Sequence, residues 1–249
     1  MRYAQLALHG FILAGLLVPE PALGLQLPEL TMDFSGGGQP DQVSVLLQIL
    51  FLLTVLSVAP AIVLMTTSFV RIVIVLSFIR QAMGTRNMPP NQVIIGLSLF
   101  LTFFIMSPIL GTINSQAIQP YLNQEIGDRE ALTLAMEPVR TFMFEQVREK
   151  DLQLLVDITQ SEPPQTREDV DTVTLIPAFM LSEIKRAFQI GFMIFVPFLV
   201  IDMVTASVLM SMGMLMLPPI IISLPFKVLL FVLVDGWHLV VQSLVQSFM

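Results

Sequence analysis

Four charged side chains stand inside otherwise apolar stretches: Arg71, Asp202, Lys227 and Asp235. A lipid-facing charge costs about 2.5–3.5 kcal/mol on the insertion scale, so the four would forfeit roughly 10 kcal/mol unless paired or buried in protein. Their natural chemistry is ion pairing between segments or subunits. Lys227 and Asp235 share one helical face but lie eight residues apart, too far for direct contact. Intramembrane charge also marks secondary transporters of small solutes, which remains the rival reading.

Enzymatic chemistry finds little to work with. Asp202 and Asp235 are the pair that an intramembrane aspartyl protease would need, but neither sits in a glycine-rich motif of that kind. His238 is the only histidine after residue 24, and cysteine is absent, so no metal set is assembled. Gly36-Gly37-Gly38 lacks the Gly-Lys-Ser/Thr ending of a phosphate loop. Glu168-Asp169-Val170-Asp171 lacks the glycine and closing glutamate of a calcium loop and reads as a solvated face. No catalytic, cofactor or metal site is expected.

Methionine supplies a different kind of chemistry. Met210, Met212, Met214 and Met216 recur at every second residue across Gly213, whereas a helical core stripe would repeat every three or four. Unbranched, polarizable thioethers fill irregular gaps and repack easily. From the residues alone, two readings stand: gap filling in a buried loop, which is the commoner use of methionine, or a deformable apolar collar.

The elements that must position these groups follow from composition. The chain has 249 residues, 55% hydrophobic and 12% charged, against about a quarter charged in a soluble domain. Its apolar residues gather in four blocks, Val43–Ile79, Val93–Leu110, Phe188–Leu217 and Ile220–Phe248. As a straight helix the third block would extend roughly 45 Å, against a hydrocarbon core of about 30 Å. Pro60, Pro197 and Pro225 interrupt the long blocks, so bent helices or helical hairpins are expected.

Both joints between blocks repeat one spacing. Met83-Gly84 is followed, after four intervening residues, by Pro89-Pro90, and Met212-Gly213 likewise by Pro218-Pro219. Glycine ends a helix in the left-handed conformation and proline opens the next one, so each joint predicts an αα-hairpin.

The remaining segments are polar or N-terminal. Residues 1–24 have the charge, short apolar core and small-residue ending of a cleaved signal peptide, and 25–42 read as an arm or linker. The first apolar hairpin takes 43–110, an acidic helical insert 111–187, and the second hairpin 188–249. Of 19 acidic residues, 12 fall between Glu125 and Asp171, and the spacing predicts one helix from Asp128 to Gln160. Arg71, Arg80 and Arg86 between the first two blocks point that side to the cytoplasm and the insert outward, although Lys185 and Arg186 run against this rule. The net charge of −7 gives no reason to expect nucleic acid.

Three long motifs carry a family resemblance: SFVRIVIVLSFIRQ at 68–81 with PPNQV at 89–93, PAFMLSEIKRAFQIGF at 177–192, and PFKVLLFVLVDGW at 225–237. With them the chain resembles the FliP family of flagellar biosynthesis proteins and its SctR relatives of virulence systems. The resemblance implies an all-α subunit of a type III export gate. Five copies would join FliQ-like and FliR-like subunits in a helical assembly at the inner membrane and flagellar basal body, largely on the periplasmic side. It implies a conduit for unfolded substrate proteins, with no cofactor and no enzymatic activity. It places a pore gasket on Met210, Met212 and Met214, extended by Met216, and charges needed for subunit association on Glu183 and Lys227.

Overall fold

The computed structural model describes residues 40–85, 88–159, 164, 166–167, 169–214 and 216–249, with side chains from Leu47 onward. The signal peptide expected at 1–24, and the arm before Pro40, lie outside the described residues. Among the described residues every regular element is helical, in keeping with the all-α expectation.

In chain order, α1 spans Pro40–Met65, α2 Phe69–Ala82 and α3 Asn91–Ile113. A π segment, Asn114–Ile118, leads from α3 into the short α4, Gln119–Leu122. The insert holds α5 (Asp128–Gln146) and α6 (Glu149–Thr159), followed by α7 (Thr172–Ser211), α8 (Pro219–Leu233) and α9 (Gly236–Gln246). The chain divides into two units between Leu53 and Thr54, inside α1. The packing described below is that of residues from Thr54 onward.

Three helical stretches are long and apolar enough to cross a membrane: Leu47–Met65, Asn91–Leu122 and Thr172–Ser211. A fourth is available if α8 and α9, bent by 64° at their junction, act as one broken span. The first and fourth blocks are thus subdivided, as their lengths demanded, while the third is not, and no break falls at Pro60, Pro197 or Pro225, which lie inside α1, α7 and α8. The first block breaks after Met65, where the Thr66 and Thr67 hydroxyls donate to the carbonyls of Ile62 and Leu64 at 3.0 and 3.2 Å. The Ile62 carbonyl also accepts from the Thr66 amide at 2.9 Å, so the hydroxyl there back-bonds to the last turn of the helix, as threonine does at helix ends.

α7 behaves differently from expectation. It runs 40 residues without interruption through both Pro177 and Pro197, about 60 Å of helix. Composition changes near residue 188, but the hydrogen-bond ladder does not, so the boundary expected between insert and second hairpin falls inside one helix. The insert helix expected over 128–160 is instead two. Val147 turns extended, with ψ 141°, and the Arg148 amide donates to the Ser182 hydroxyl of α7 at 3.0 Å.

α2 and α7 lie side by side and parallel. Arg71 faces Glu183, and one helical segment further along Phe78 packs edge-on against Phe188 with ring centroids 5.0 Å apart. A Cβ at Gly191 would stand 2.6 Å from the Phe78 ring, so only glycine admits this approach. Around the contact lies a core of Ile72, Val75, Leu76, Ile79, Ala187, Phe198, Phe231 and Leu244. A second core, with Met106, Phe142, Met143, Leu175 and Phe179, joins α3, α5 and α7.

The two joints take the form their spacing predicts. Gly84 and Gly213 adopt left-handed φ of 75° and 74°, while Pro90 directly precedes α3 and Pro219 opens α8. At the second joint the amide of Gly213 donates to the Met210 carbonyl and that of Met214 to the Leu209 carbonyl, both at 3.0 Å. This is the Schellman closure, which satisfies two of the carbonyls left open at the end of α7.

Candidate functional site

The charged residues resolve into two internal nodes. At the first, Arg71 and Glu183 are completely buried and form a salt bridge. Arg71 Nε donates to Glu183 Oε2 at 2.9 Å, and Nη2 donates to Glu183 Oε1. Gln146, the last residue of α5, accepts from Arg71 Nη2 and from Arg186 Nη1, both at 2.9 Å. A bidentate, charge-assisted pair of this kind is among the stronger polar contacts, and here it ties together α2, α5 and α7.

Beside it, Asp151 of α6 is buried and accepts hydrogen bonds from Ser182 Oγ and from Arg148 Nε, both at 2.7 Å. Burial by itself pushes the Asp151 carboxyl up, but the Ser182 hydroxyl and the Arg148 guanidinium outweigh it and hold the group below its ordinary value. Ser182 of α7 thereby holds α6, while its neighbour Glu183 reaches the end of α5 through Arg71 and Gln146.

The second node spans the α7–α8 hairpin. Lys227 Nζ donates to Asp202 Oδ2 at 2.6 Å, and the Ser223 hydroxyl donates to Asp202 Oδ1. Lys227 is nearly fully buried, and the Asp202 side chain is 29% exposed. A Cβ at Gly84 would stand 3.9 Å from Lys227 Nζ, so the α2–α3 turn lies level with this node. Ser211 ends α7 nine residues beyond Asp202, about 13 Å along the helix, so the methionine turn lies well past this node, with Leu209 the last buried residue before it.

At that tip Met210, Met212 and Met214 are exposed, and Met216 is 98% exposed. The turn is accordingly not filled by its own chain, and the buried-loop alternative does not hold within a single subunit. The backbone is ordered by the Schellman bonds while the thioethers remain free to repack.

Partners for the intramembrane charges thus come from distant segments of the same chain. Glu183 and Lys227 do not meet each other; they bind Arg71 and Asp202 instead. Asp235, expected to be buried, is exposed. It is not on the face of α8 at all but in the α8–α9 bend, where its φ of 50° ends one helix and starts the next. Gly236 follows because any Cβ there would lie 2.3 Å from the Phe231 ring. The sequence reading missed Gln146, Ser182, Ser223, Ser247 and Phe248, since single polar or aromatic residues carry no signal of partners that are distant along the chain.

Helical stretches long and apolar enough to cross a membrane, with buried ion pairs joining α2 to α7 and α7 to α8, are the features of a helical membrane protein. The FliP family profile matches residues 52–244, and the chain belongs to that family. It is 58% identical over 217 residues to the flagellar biosynthetic protein FliP of Bacillus subtilis, covering 87% of this chain and 98% of that one. Identity to FliP of Pectobacterium carotovorum is 52% over 235 residues, covering 94% and 90% of the two chains. For FliP of Aquifex aeolicus it is 47% over 225 residues, covering 90% and 92%.

Proposed function

We propose that this chain is a pore-forming subunit of the flagellar type III protein export gate, which passes unfolded proteins across the inner membrane. In this reading about five copies assemble with FliQ-like and FliR-like subunits, largely on the periplasmic side. Met210, Met212, Met214 and Met216 of successive subunits meet as a gasket. Glu183 and Lys227 serve the association of those subunits.

The observation that carries this reading is the methionine turn itself. It is fixed in backbone by Gly213, pinned from behind by Lys227 and Asp202, and exposed at the tip. A seal for polypeptides must accept varied side chains and close again when they have passed, and flexible thioethers meet both demands better than branched or aromatic groups. Energy for transport comes from partners.

Replacing Met210, Met212 and Met214 together by alanine should raise the ion conductance of idle gates reconstituted in planar bilayers, with assembly unchanged on native gels. Idle conductance equal to wild type would overturn the gasket. Native mass spectrometry of the detergent-extracted complex tests the ring, and recovery only as a monomer in several mild detergents would overturn the conduit reading.

A further inference from the structure

A guanidinium has five N–H donors, and Arg71 makes five hydrogen bonds. Beyond the two to Glu183 and the one to Gln146, Nη1 donates to the Ser247 carbonyl at 2.7 Å and to the Ser247 hydroxyl at 3.0 Å. The Phe248 ring covers the guanidinium, its centroid 3.7 Å from Cζ. Phe248 also stacks near Phe142, and its carbonyl accepts from Gln146 Nε2 at 3.4 Å. Arg71 therefore binds α7, α5 and the C-terminal residues at once, with no donor left over. Both Glu183 oxygens are engaged, and neither residue has any exposed surface.

A second subunit can reach Glu183 only by dismantling this arrangement. We propose that Arg71 is the positioning residue through which Glu183 serves assembly: the pair stays within one chain in the assembled ring, locked by Gln146 and the Ser247-Phe248 lid. Glu183 then acts on assembly by holding α2, α5 and α7 of its own subunit in the shape that neighbours recognise. The inference rests on the export-gate reading only for what is assembled. The lock itself is a property of the single chain.

The test uses the full chain produced alone in membranes of a host without other export proteins, beside the complete gate. Glu183→Met leaves Arg71 buried without its counter-charge, and should lower the Tm of the detergent-solubilised chain by roughly 6–20 °C as well as abolishing rings on native gels. Arg71→Met should do the same. Both replacements in one chain should recover most of the lost Tm and ring yield, because removing a whole buried pair spares the uncompensated charge. The same two replacements divided between co-produced, differently tagged chains should recover neither.

Recovery in the divided mixture, or an unchanged Tm of the lone chain with rings lost, would overturn the proposal and assign Glu183 to a bond between subunits. If a single variant yields no folded chain, ring yield from the one-chain and two-chain combinations still decides. Failure of the export reading registers separately, because the Tm of the lone chain is independent of what the gate conducts.

Discussion

Lys227 spans the α7–α8 hairpin to Asp202, Nζ lying 2.6 Å from Oδ2, and so fixes the separation of the two legs that carry Met210, Met212 and Met214. The methionines of the turn are exposed. The position of the turn depends on this pair and on the closure at Gly213.

Lys227→Met should therefore destabilise the chain by about 2 kcal/mol, since a nearly buried, charge-assisted bond is lost while Ser223 still serves the carboxylate. The corresponding fall in Tm is roughly 4–8 °C, and idle conductance should rise as the legs part. Thermal unfolding in detergent checks the first effect and bilayer recording the second. A wild-type Tm would show that the pair does not hold the hairpin.

Gly213→Ala places a side chain at φ 74°, which costs about 1–2 kcal/mol. Gly213→Asn should be better tolerated, because asparagine enters this region more readily. The expected order of idle leak is alanine above asparagine above wild type, read from single gates in bilayers. Equal leak in all three would separate the turn's geometry from sealing.

Gly191→Ala forces a Cβ to 2.6 Å from the Phe78 ring. Because Phe78 is also packed on Phe188, the ring has little room to withdraw, and the cost should be about 1–3 kcal/mol. Phe78→Ala in the same chain should relieve part of it. A double-mutant cycle on Tm measures the coupling, and strict additivity would argue against the close approach of α2 and α7.

Asp151 predicts the acid side of the stability profile. Its folded pKa lies below the ordinary carboxyl value, so the unfolded chain takes up the proton first as pH falls. The stability it contributes is complete above the ordinary aspartate range, near pH 4, and is lost as pH drops through the folded value. Asp151→Asn should flatten this part of the curve of Tm against pH and lower Tm at pH 7. An unchanged acid limb would place the titrating group elsewhere.

Much of this fold was legible in order along the chain. Blocks too long for one span, polar insert residues at helical spacing, and glycine and proline pairs at the joints all act within a few residues, where helix propensity and capping decide. The break of the insert at Val147 was not legible, because it depends on Ser182 capturing the Arg148 amide from another helix. Nor was the continuity of α7 through Pro197, where composition suggested an interruption.

The charges show the same division. Their mere presence in apolar blocks required partners, because desolvation makes an unpaired charge expensive wherever it is buried. Which partners they take was settled by long-range packing: Arg71 meets Glu183 and Ser247 from positions 112 and 176 residues away, and Asp235 stays in an exposed bend. Sequence by itself determined that this is an all-helical membrane chain of the FliP family with a methionine-bearing turn, because those properties are local or carried by long motifs. Only the tertiary structure decided that the ionic contacts close within one chain and that the turn is left exposed, because both follow from which helices lie side by side.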